Sequence, residues 1–196
     1  MTLSKALVPS QSLLTRALMV AGGSAFIALA AQVSVPMLPV PMTLQTLAIL
    51  LVGFAFGARM GVATLLAYLA EGAMGLPVFA NGMNGIAFFG PTAGFLLGFV
   101  AMAAIAGYAA DRGVTGVIAT AAVALAASAF IYLPGVAWAM SLAEVAGIDT
   151  AKWGADSFAM VWQYYMSPFL IGDAVKAVLA ALIVTGGWAA LKSRKA

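Results

Sequence analysis

Long apolar runs separated by short loops are the feature that most limits how this chain can fold. Only 8% of its 196 residues are charged, and 64% are hydrophobic. A soluble domain carries about 25% charged residues, so a water-facing surface could not be built from so few. The chain is therefore predicted to be a multi-pass integral membrane protein whose apolar side chains face both lipid and the protein interior.

Six apolar segments have about the length that a membrane helix needs. A hydrocarbon core of about 30 Å takes roughly 20 helical residues. The segments are Leu13–Val33, Leu44–Phe56, Gly61–Phe79, Thr92–Ala110, Val114–Trp138 and Pro168–Leu191, and the stretch Ala139–Ser167 is left as a long connection. We therefore predict an all-α membrane protein with six transmembrane helices.

The basic residues predict how these helices are oriented. If six helices alternate, Lys5, Arg16, Arg59, Arg112, Lys192, Arg194 and Lys195 fall on one side, and the other side receives only Lys152. Short loops rich in Lys and Arg stay in the cytoplasm, so both termini are predicted to be cytoplasmic, in a plasma (inner) membrane. The chain then divides into a cytoplasmic N-terminal segment (1–12), a six-helix domain (13–191) and a basic tail (192–196).

Ionisable residues inside the apolar segments are the strongest sign of a functional site. Asp173 and Lys176 lie three apart in the last segment, so they share one helix face. Each costs roughly 2.5–3.5 kcal/mol near a helix centre on insertion scales. If Pro168 starts the helix at the outer surface, the two lie roughly 8 and 12 Å below it. They predict an outward-opening small-molecule site for a zwitterion-like or acid-bearing ligand; the alternative is an ion pair that only fixes helix packing.

A third intramembrane charge is Glu71, in the third segment. It could lie against Lys176 or face a water-filled cavity, and the sequence favours neither.

Two loops are predicted to enclose the site. Val33–Thr43 contains Pro36, Pro39 and Pro41, which favour extended backbone, and Ala80–Pro91 is rich in glycine and asparagine. Backbone that is not helical at membrane depth must be covered by protein or line a cavity. Both loops are therefore predicted to form cavity walls.

Polar side chains lie in or beside these loops. Thr43, Gln45 and Thr46 stand at the start of the second helix, where Thr43 could instead be only an N-cap. Asn81 and Asn84 are predicted ligand contacts, although either could be only a turn former.

Aromatic residues near the helix ends could wall an apolar pocket or anchor the chain at the membrane surface. The pocket set is Phe79, Phe88, Phe89, Phe95, Tyr132 and Trp138, and the outer connection adds a lid or belt of Trp153, Trp162, Tyr164 and Tyr165.

Small residues recur every four positions on the first helix, at Ala17, Ala21 and Ala25. Such a ridge lets two membrane helices approach closely. It is either an internal packing face or a docking face for another membrane subunit.

Several activities are excluded by composition. The chain contains no Cys and no His, so it lacks thiolate and imidazole chemistry and an imidazole metal site. Residues 53–61 carry no Gly-Lys-Ser/Thr phosphate loop, so any ATP-driven step must come from partners. A membrane enzyme, lacking paired acids or a metal cluster, is disfavoured, and a structural subunit without ligand remains the other alternative.

Five motifs in order give the chain a family resemblance. They are residues 41–47 (PMTLQTL), 57–61 (GARMG), 75–80 (GLPVFA), 90–99 (GPTAGFLLGF) and 168–177 (PFLIGDAVKA). This series resembles the BioY family, the biotin-specific substrate-capture components of energy-coupling factor transporters. The resemblance runs from about Leu13 to Leu191.

The resemblance implies high-affinity biotin binding from the outer side, with biotin as the transported ligand, no cofactor and no enzyme activity. It implies two kinds of partner, a transmembrane coupling protein and cytoplasmic ATP-binding subunits, docking on the alanine ridge and near Arg59. Asp173 and Lys176 match the family's site residues, and Asn84 is favoured over Asn81. Where some members carry Tyr-Arg, this chain has Phe95 and Leu96, so a ligand carboxylate must rely on Lys176, a backbone donor or water.

The resemblance leaves some points open. It does not settle which end of biotin meets which residue of the pair. A different vitamin, or biotin transport without ATPase partners, is the alternative function. An occluded pocket under the outer loops is expected, with ligand release requiring a partner to deform or reorient the subunit.

Overall fold

The computed structural model describes residues 2–7 and 12–193, and helices dominate it. Of the predicted tail, Arg194 and Lys195 lie outside the described residues.

The described helices and strands follow in chain order. They are α1 (Leu3–Leu7), α2 (Leu13–Gln32), β1 (Ser34–Val35), β2 (Met42–Thr43), α3 (Gln45–Phe56), α4 (Ala58–Ala73), α5 (Ala93–Asp111), α6 (Val117–Phe130), α7 (Tyr132–Ala137), α8 (Ala143–Val145), α9 (Phe158–Val161) and α10 (Leu170–Ser193). Short 3₁₀ segments occupy Ala80–Gly82 and Gly85–Phe89, and π-helical turns occupy Trp138–Leu142 and Trp162–Met166. The two strands pair antiparallel, with Ser34 opposite Thr43.

Every one of the six predicted segments contains a helix. Four helical stretches are long and apolar enough to cross a membrane: Leu13–Gln32, Ala93–Asp111, Val117–Val145 and Phe158–Ser193. The 12-residue α3 is apolar but shorter. The described chain therefore has the character of a multi-pass membrane protein, and a count of six spans stays a prediction.

The predicted boundaries were wrong in two places. α4 ends at Ala73 rather than near Phe79, because Gly75 takes a φ of +96°, a backbone conformation that ends a helix readily. The supposed outer connection is partly helical, since helical turns continue through Val145 and resume at Phe158. A turn rich in glycine and Asp separates these two helical stretches.

The cation-rich ends of the helices meet at one end of the bundle. Asp111, at the end of α5, accepts a hydrogen bond from the backbone N–H of Ala58 at 3.0 Å and so caps the start of α4. Thr185 of α10 donates to the backbone carbonyl of Thr115, just before α6, at 3.3 Å. The proline-rich hairpin lies at the opposite end. How these two ends are oriented across the membrane stays a prediction.

Helix α5 is the centre of the bundle and packs against α3, α4, α6 and α7. Glycines make the close approaches possible. A Cβ added to Gly94 would lie 2.2 Å from the carbonyl oxygen of Pro134 in α7. A Cβ on Gly107 would lie 2.3 Å from the backbone nitrogen of Ala58. These contacts fix α5 against α7 near one end and against α4 near the other.

Helix α2 turns its alanine ridge away from the bundle. Its buried side includes Ser24 and Ile27, whereas Ala17, Ala21 and Ala25 are all exposed. Internal packing was one of the two explanations for this ridge. Within the described residues that explanation is wrong, because no helix covers the three alanines.

Gly107→Ala tests the close packing of α5. The added methyl group would overlap the backbone of Ala58, so we expect a loss of about 1–3 kcal/mol in the free energy of unfolding. The measurement is the thermal unfolding midpoint of the purified protein in detergent.

Gly186→Ala is the matched control, because Gly186 lies within α10 and a Cβ there would meet nothing within 4 Å. Alanine favours helix over glycine, so this change should be neutral or stabilise by up to about 1 kcal/mol. Equal midpoints for both variants would show that α5 does not pack as described.

Candidate functional site

A cavity of about 260 Å³ lies at the end of the bundle that carries the hairpin. Its walls come from α3, α5, α7 and α10, and the hairpin segment 37–43 and residues 79–83 cover it. Both predicted cavity-forming loops, Val33–Thr43 and Ala80–Pro91, therefore contribute residues to the lining of one cavity. Its volume is near the small end of ligand pockets, which are roughly 300–1,000 Å³.

Asp173 and Lys176 lie together in the wall of this cavity. Lys176 Nζ is 3.0 Å from Asp173 Oδ1, and both residues are only 6% exposed. Both also line the cavity. The two residues therefore form an ion pair with each other, as expected if they only fix helix packing. They also face a space that can admit a small molecule.

Neighbouring helices supply the remaining polar partners of the pair. Tyr132 of α7 donates its hydroxyl to Asp173 Oδ2 at 2.6 Å. Lys176 donates to Thr46 Oγ1 at 2.7 Å and to the backbone carbonyl of Thr43 at 3.4 Å. Buried charges need such partners, because removing a charged group from water without replacing its hydrogen bonds costs free energy. The pair thus joins α10 to α3 and α7.

A second polar network holds the start of α3. Gln45 donates through Nε2 to the hydroxyl of Tyr68 at 2.8 Å, and that hydroxyl donates to the carbonyl of Val78 at 2.9 Å. Thr43 Oγ1 accepts from the backbone N–H of Gln45 at 3.1 Å. The N-cap prediction for Thr43 was wrong, because the N-cap of α3 is Leu44 and its side chain makes no capping bond; Thr43 instead supports the turn before the helix and lines the cavity.

Aromatic side chains form the apolar walls. The lining aromatics are Phe79, Phe95, Phe99, Tyr132, Tyr165 and Phe169. Phe95 and Tyr132 meet edge to face, with ring centroids 6.1 Å apart, and Phe79 packs edge to face on Tyr68 at 5.3 Å. Such contacts give a rigid apolar surface for a small ring system.

The loop at residues 79–83 is fastened to the end of α2. Gln32 donates from Nε2 to the carbonyl of Phe79 and accepts through Oε1 from the backbone N–H of Gly82, both at 3.0 Å. Ser34 donates to Asn81 Oδ1 at 2.9 Å. Asn81 has a φ of +58°, a left-handed conformation that asparagine tolerates better than most residues.

Seven of the predicted ligand-contact residues line this cavity: Thr43, Gln45, Phe79, Asn81, Tyr132, Asp173 and Lys176. The structure does not bring Glu71, Asn84 or Trp138 into its lining. Of the other aromatics offered for the pocket, Phe95 belongs to the wall, and Phe88 and Phe89 do not.

The three residues away from the wall have hydrogen-bond partners outside the cavity lining. Asn84 caps the following 3₁₀ turn, where its Oδ1 accepts from the backbone N–H of Ile86 at 3.3 Å. Trp138 donates its indole N–H to the carbonyl of Gly90 at 3.0 Å. Glu71 accepts a short hydrogen bond from Ser24 of α2, whereas Lys176 pairs with Asp173.

Some lining residues were missed or misassigned. Tyr165 was assigned to an interfacial belt, but it is fully buried in the π-helical turn and donates to the carbonyl of Trp153 at 2.8 Å. Phe99 and Phe169 were not predicted, because nothing in a uniformly apolar sequence marks the face that a helix turns inward. Gln32, which fastens residues 79–83 from outside the lining, was also missed, although a polar residue at the end of an apolar helix was a signal for it.

Tyr132→Phe tests whether the hydroxyl supports the buried carboxylate. Removing the hydroxyl deprives the buried Asp173 Oδ2 of its hydrogen bond, so the free energy of unfolding should fall by about 1–3 kcal/mol. The thermal midpoint of the ligand-free protein measures this. Tyr164→Phe, at an exposed position in the same end of the molecule, is the control and should change nothing. A similar midpoint in both variants would contradict the described contact.

Comparison with known proteins gives concordant results. The model of the BioY family matches residues 4–193. The biotin transporter BioY of Rhizobium etli is 37% identical over 160 residues, covering 77% of this chain and 79% of that protein. The biotin transporter BioY of Thermotoga maritima is 32% identical over 161 residues, covering 82% and 88%.

A solved structure has the same fold. It is the S-component for biotin from an ECF-type ABC transporter, with a TM-score of 0.68 over 93% of this chain and 92% of that chain. The sequence identity is 23%, so this likeness speaks for the fold alone.

Proposed function

The chain belongs to the BioY family, and from that membership together with the cavity we propose that it is the biotin-binding subunit of a biotin uptake transporter. Its relatives are named biotin transporters rather than enzymes. The observation that carries the proposal is a buried Asp173–Lys176 pair placed in the wall of a small aromatic cavity.

The chemistry of biotin fits this cavity. Its fused rings are compact and largely apolar, and they suit walls made by Phe79, Phe95 and Phe169. Its ureido group presents two N–H donors, which a carboxylate accepts well. Asp173 is the only carboxylate in the described lining, so it is the residue we assign to those donors. A small ligand that is largely buried and makes a few good polar contacts is bound tightly.

The cavity's position supports capture from the outer side. It lies at the end of the bundle opposite the Asp111–Ala58 contact, where the basic residues Arg59 and Arg112 are found. Because basic loops favour the cytoplasm, the cavity end faces outward. The hairpin and residues 79–83 then form the outer cover under which biotin is held.

The exposed ridge of Ala17, Ala21 and Ala25 supports docking to a membrane partner. Small side chains on a lipid-facing helix allow close approach of another helix. The chain has no phosphate loop of its own, so we assign energy supply to a transmembrane coupling protein with ATP-binding subunits, and Arg59 to the cytoplasmic edge of the same contact. Biotin transport by this subunit alone is the competing possibility.

Biotin titration of two variants tests the site. Asp173→Asn removes the charged acceptor, and Lys176→Met leaves a buried carboxylate unpaired; each should weaken biotin binding at least about hundredfold. The measurement is calorimetry or radioligand binding with detergent-purified protein, run beside thiamine and riboflavin.

Two controls match these changes in chemistry. Asp156→Asn and Lys192→Met alter exposed residues and should leave affinity unchanged. Undiminished affinity in both site variants would refute the site, and binding of another vitamin in place of biotin would change the ligand while keeping a transport role.

Ala21→Leu tests the docking face. The larger side chain should block close helix approach, so ATP-dependent biotin uptake in cells should fall severalfold while binding by the purified protein stays normal. Ala122→Leu, at an exposed position on α6, is the control. Undiminished uptake by Ala21→Leu in cells lacking the ATPase partners would favour transport by this subunit alone.

A further inference from the structure

The ammonium group of Lys176 already has a partner for each of its hydrogens. An ammonium has three N–H donors and no acceptor. Its three partners are Asp173 Oδ1 at 3.0 Å, Thr46 Oγ1 at 2.7 Å and the carbonyl of Thr43 at 3.4 Å. A ligand carboxylate could bind Lys176 only by replacing one of these partners, and two of them are themselves part of the buried network.

The carboxylate of Asp173 is different, because it keeps acceptor capacity. An ionised carboxylate has about four lone-pair sites. Among the described residues it accepts from Lys176 through Oδ1 and from Tyr132 through Oδ2, which uses one site on each oxygen. Asp173 can therefore take two further N–H donors while every present contact stays in place. The pair is built to receive a hydrogen-bond donor, not an anion.

The rest of the described lining offers no other charge. Apart from Asp173 and Lys176, its polar side chains are the hydroxyls and amides of residues such as Thr43, Gln45 and Thr92. The charges of the pair cancel, so the cavity as a whole is neutral. An anionic group gains nothing there from net charge, and its desolvation would be costly.

The cavity runs from this buried polar end to an exposed end. Tyr132, Asp173 and Lys176 are at most 7% exposed, whereas Leu38 is 90% exposed and Met83 is 41% exposed, although both line the same space. Asn81, also exposed, lies in that outer part and carries a neutral amide whose N–H groups can donate to a carboxylate or to a carbonyl.

Building on the proposed function, in which Asp173 accepts from the ureido N–H groups, we infer that the valerate end lies toward Leu38, Asn81 and Met83 without an ionic partner. The ligand class then includes neutral biotin derivatives whose carboxyl is capped, namely the primary amide and small esters. The negative charge of biotin contributes little to affinity, and recognition depends on the ureido ring.

Competitive titration of the unmodified protein tests this inference. Biotin, biotin primary amide and biotin methyl ester are each measured against radiolabelled biotin in detergent at neutral pH. The dissociation constants of the two neutral derivatives should lie within about fivefold of that of biotin. If Lys176 held the carboxylate, losing that charge-assisted bond would weaken binding roughly tenfold to a hundredfold.

The outcomes separate the two proposals. Biotin that binds while the amide and the ester both bind at least tenfold more weakly overturns this inference and leaves the proposed function standing. A protein that binds none of the three overturns the proposed function, and this inference with it. Near-equal affinities support both.

Discussion

The structure depends on the hydrogen bonds that stabilise one buried ion pair, Asp173 and Lys176. Asp173 and Lys176 neutralise each other, but an isolated pair in a bilayer would still lack hydrogen bonds. Tyr132 from α7 and Thr46 from α3 supply them. These contacts draw three helices to one point at one end of the bundle. Because Asp173 keeps spare acceptor sites after all of this, the same network that stabilises the fold can also receive a ligand.

Close backbone contacts elsewhere determine the shape of the cavity. Gly94 lets α5 lie against the backbone of Pro134, and the ring of Phe95 packs on Gly135 next to it. That arrangement turns Phe95 against Tyr132, which in turn holds Asp173. A larger residue at Gly94 would separate α5 from α7 and move the tyrosine. The polar end of the cavity is therefore supported by small residues that are not themselves part of its lining.

The sequence was sufficient to place Asp173 and Lys176 together in a cavity wall, but it left the position of Glu71 open, and that residue bonds Ser24 away from the cavity. Asp173 and Lys176 are expensive inside a membrane, so their presence alone indicated a site, and helical spacing put them on one face. The apolar runs located the helices because a polar residue in the bilayer core also costs free energy, so long apolar stretches mark the spans. Asn84 and Trp138 lie outside the lining because each has another partner: Asn84 Oδ1 accepts from the backbone N–H of Ile86, and Trp138 donates its indole N–H to the carbonyl of Gly90. The surface assignment of Tyr165 was wrong because its segment was taken as part of a loop connection, whereas it forms a π-helical turn in which Tyr165 is fully buried.

Helix α2 connects the two functional faces proposed for the chain. Gln32 at its end holds both Phe79 and Gly82 in the cover of the cavity, and Ala17, Ala21 and Ala25 lie exposed along its length. An α-helix of 20 residues is about 30 Å long and transmits a displacement along its axis as a nearly rigid rod. A partner that shifts α2 by docking on the alanines would carry the Gln32 side chain with it. Both hydrogen bonds to the cover would then be strained together, and this is the route that we propose for partner-driven release of the ligand.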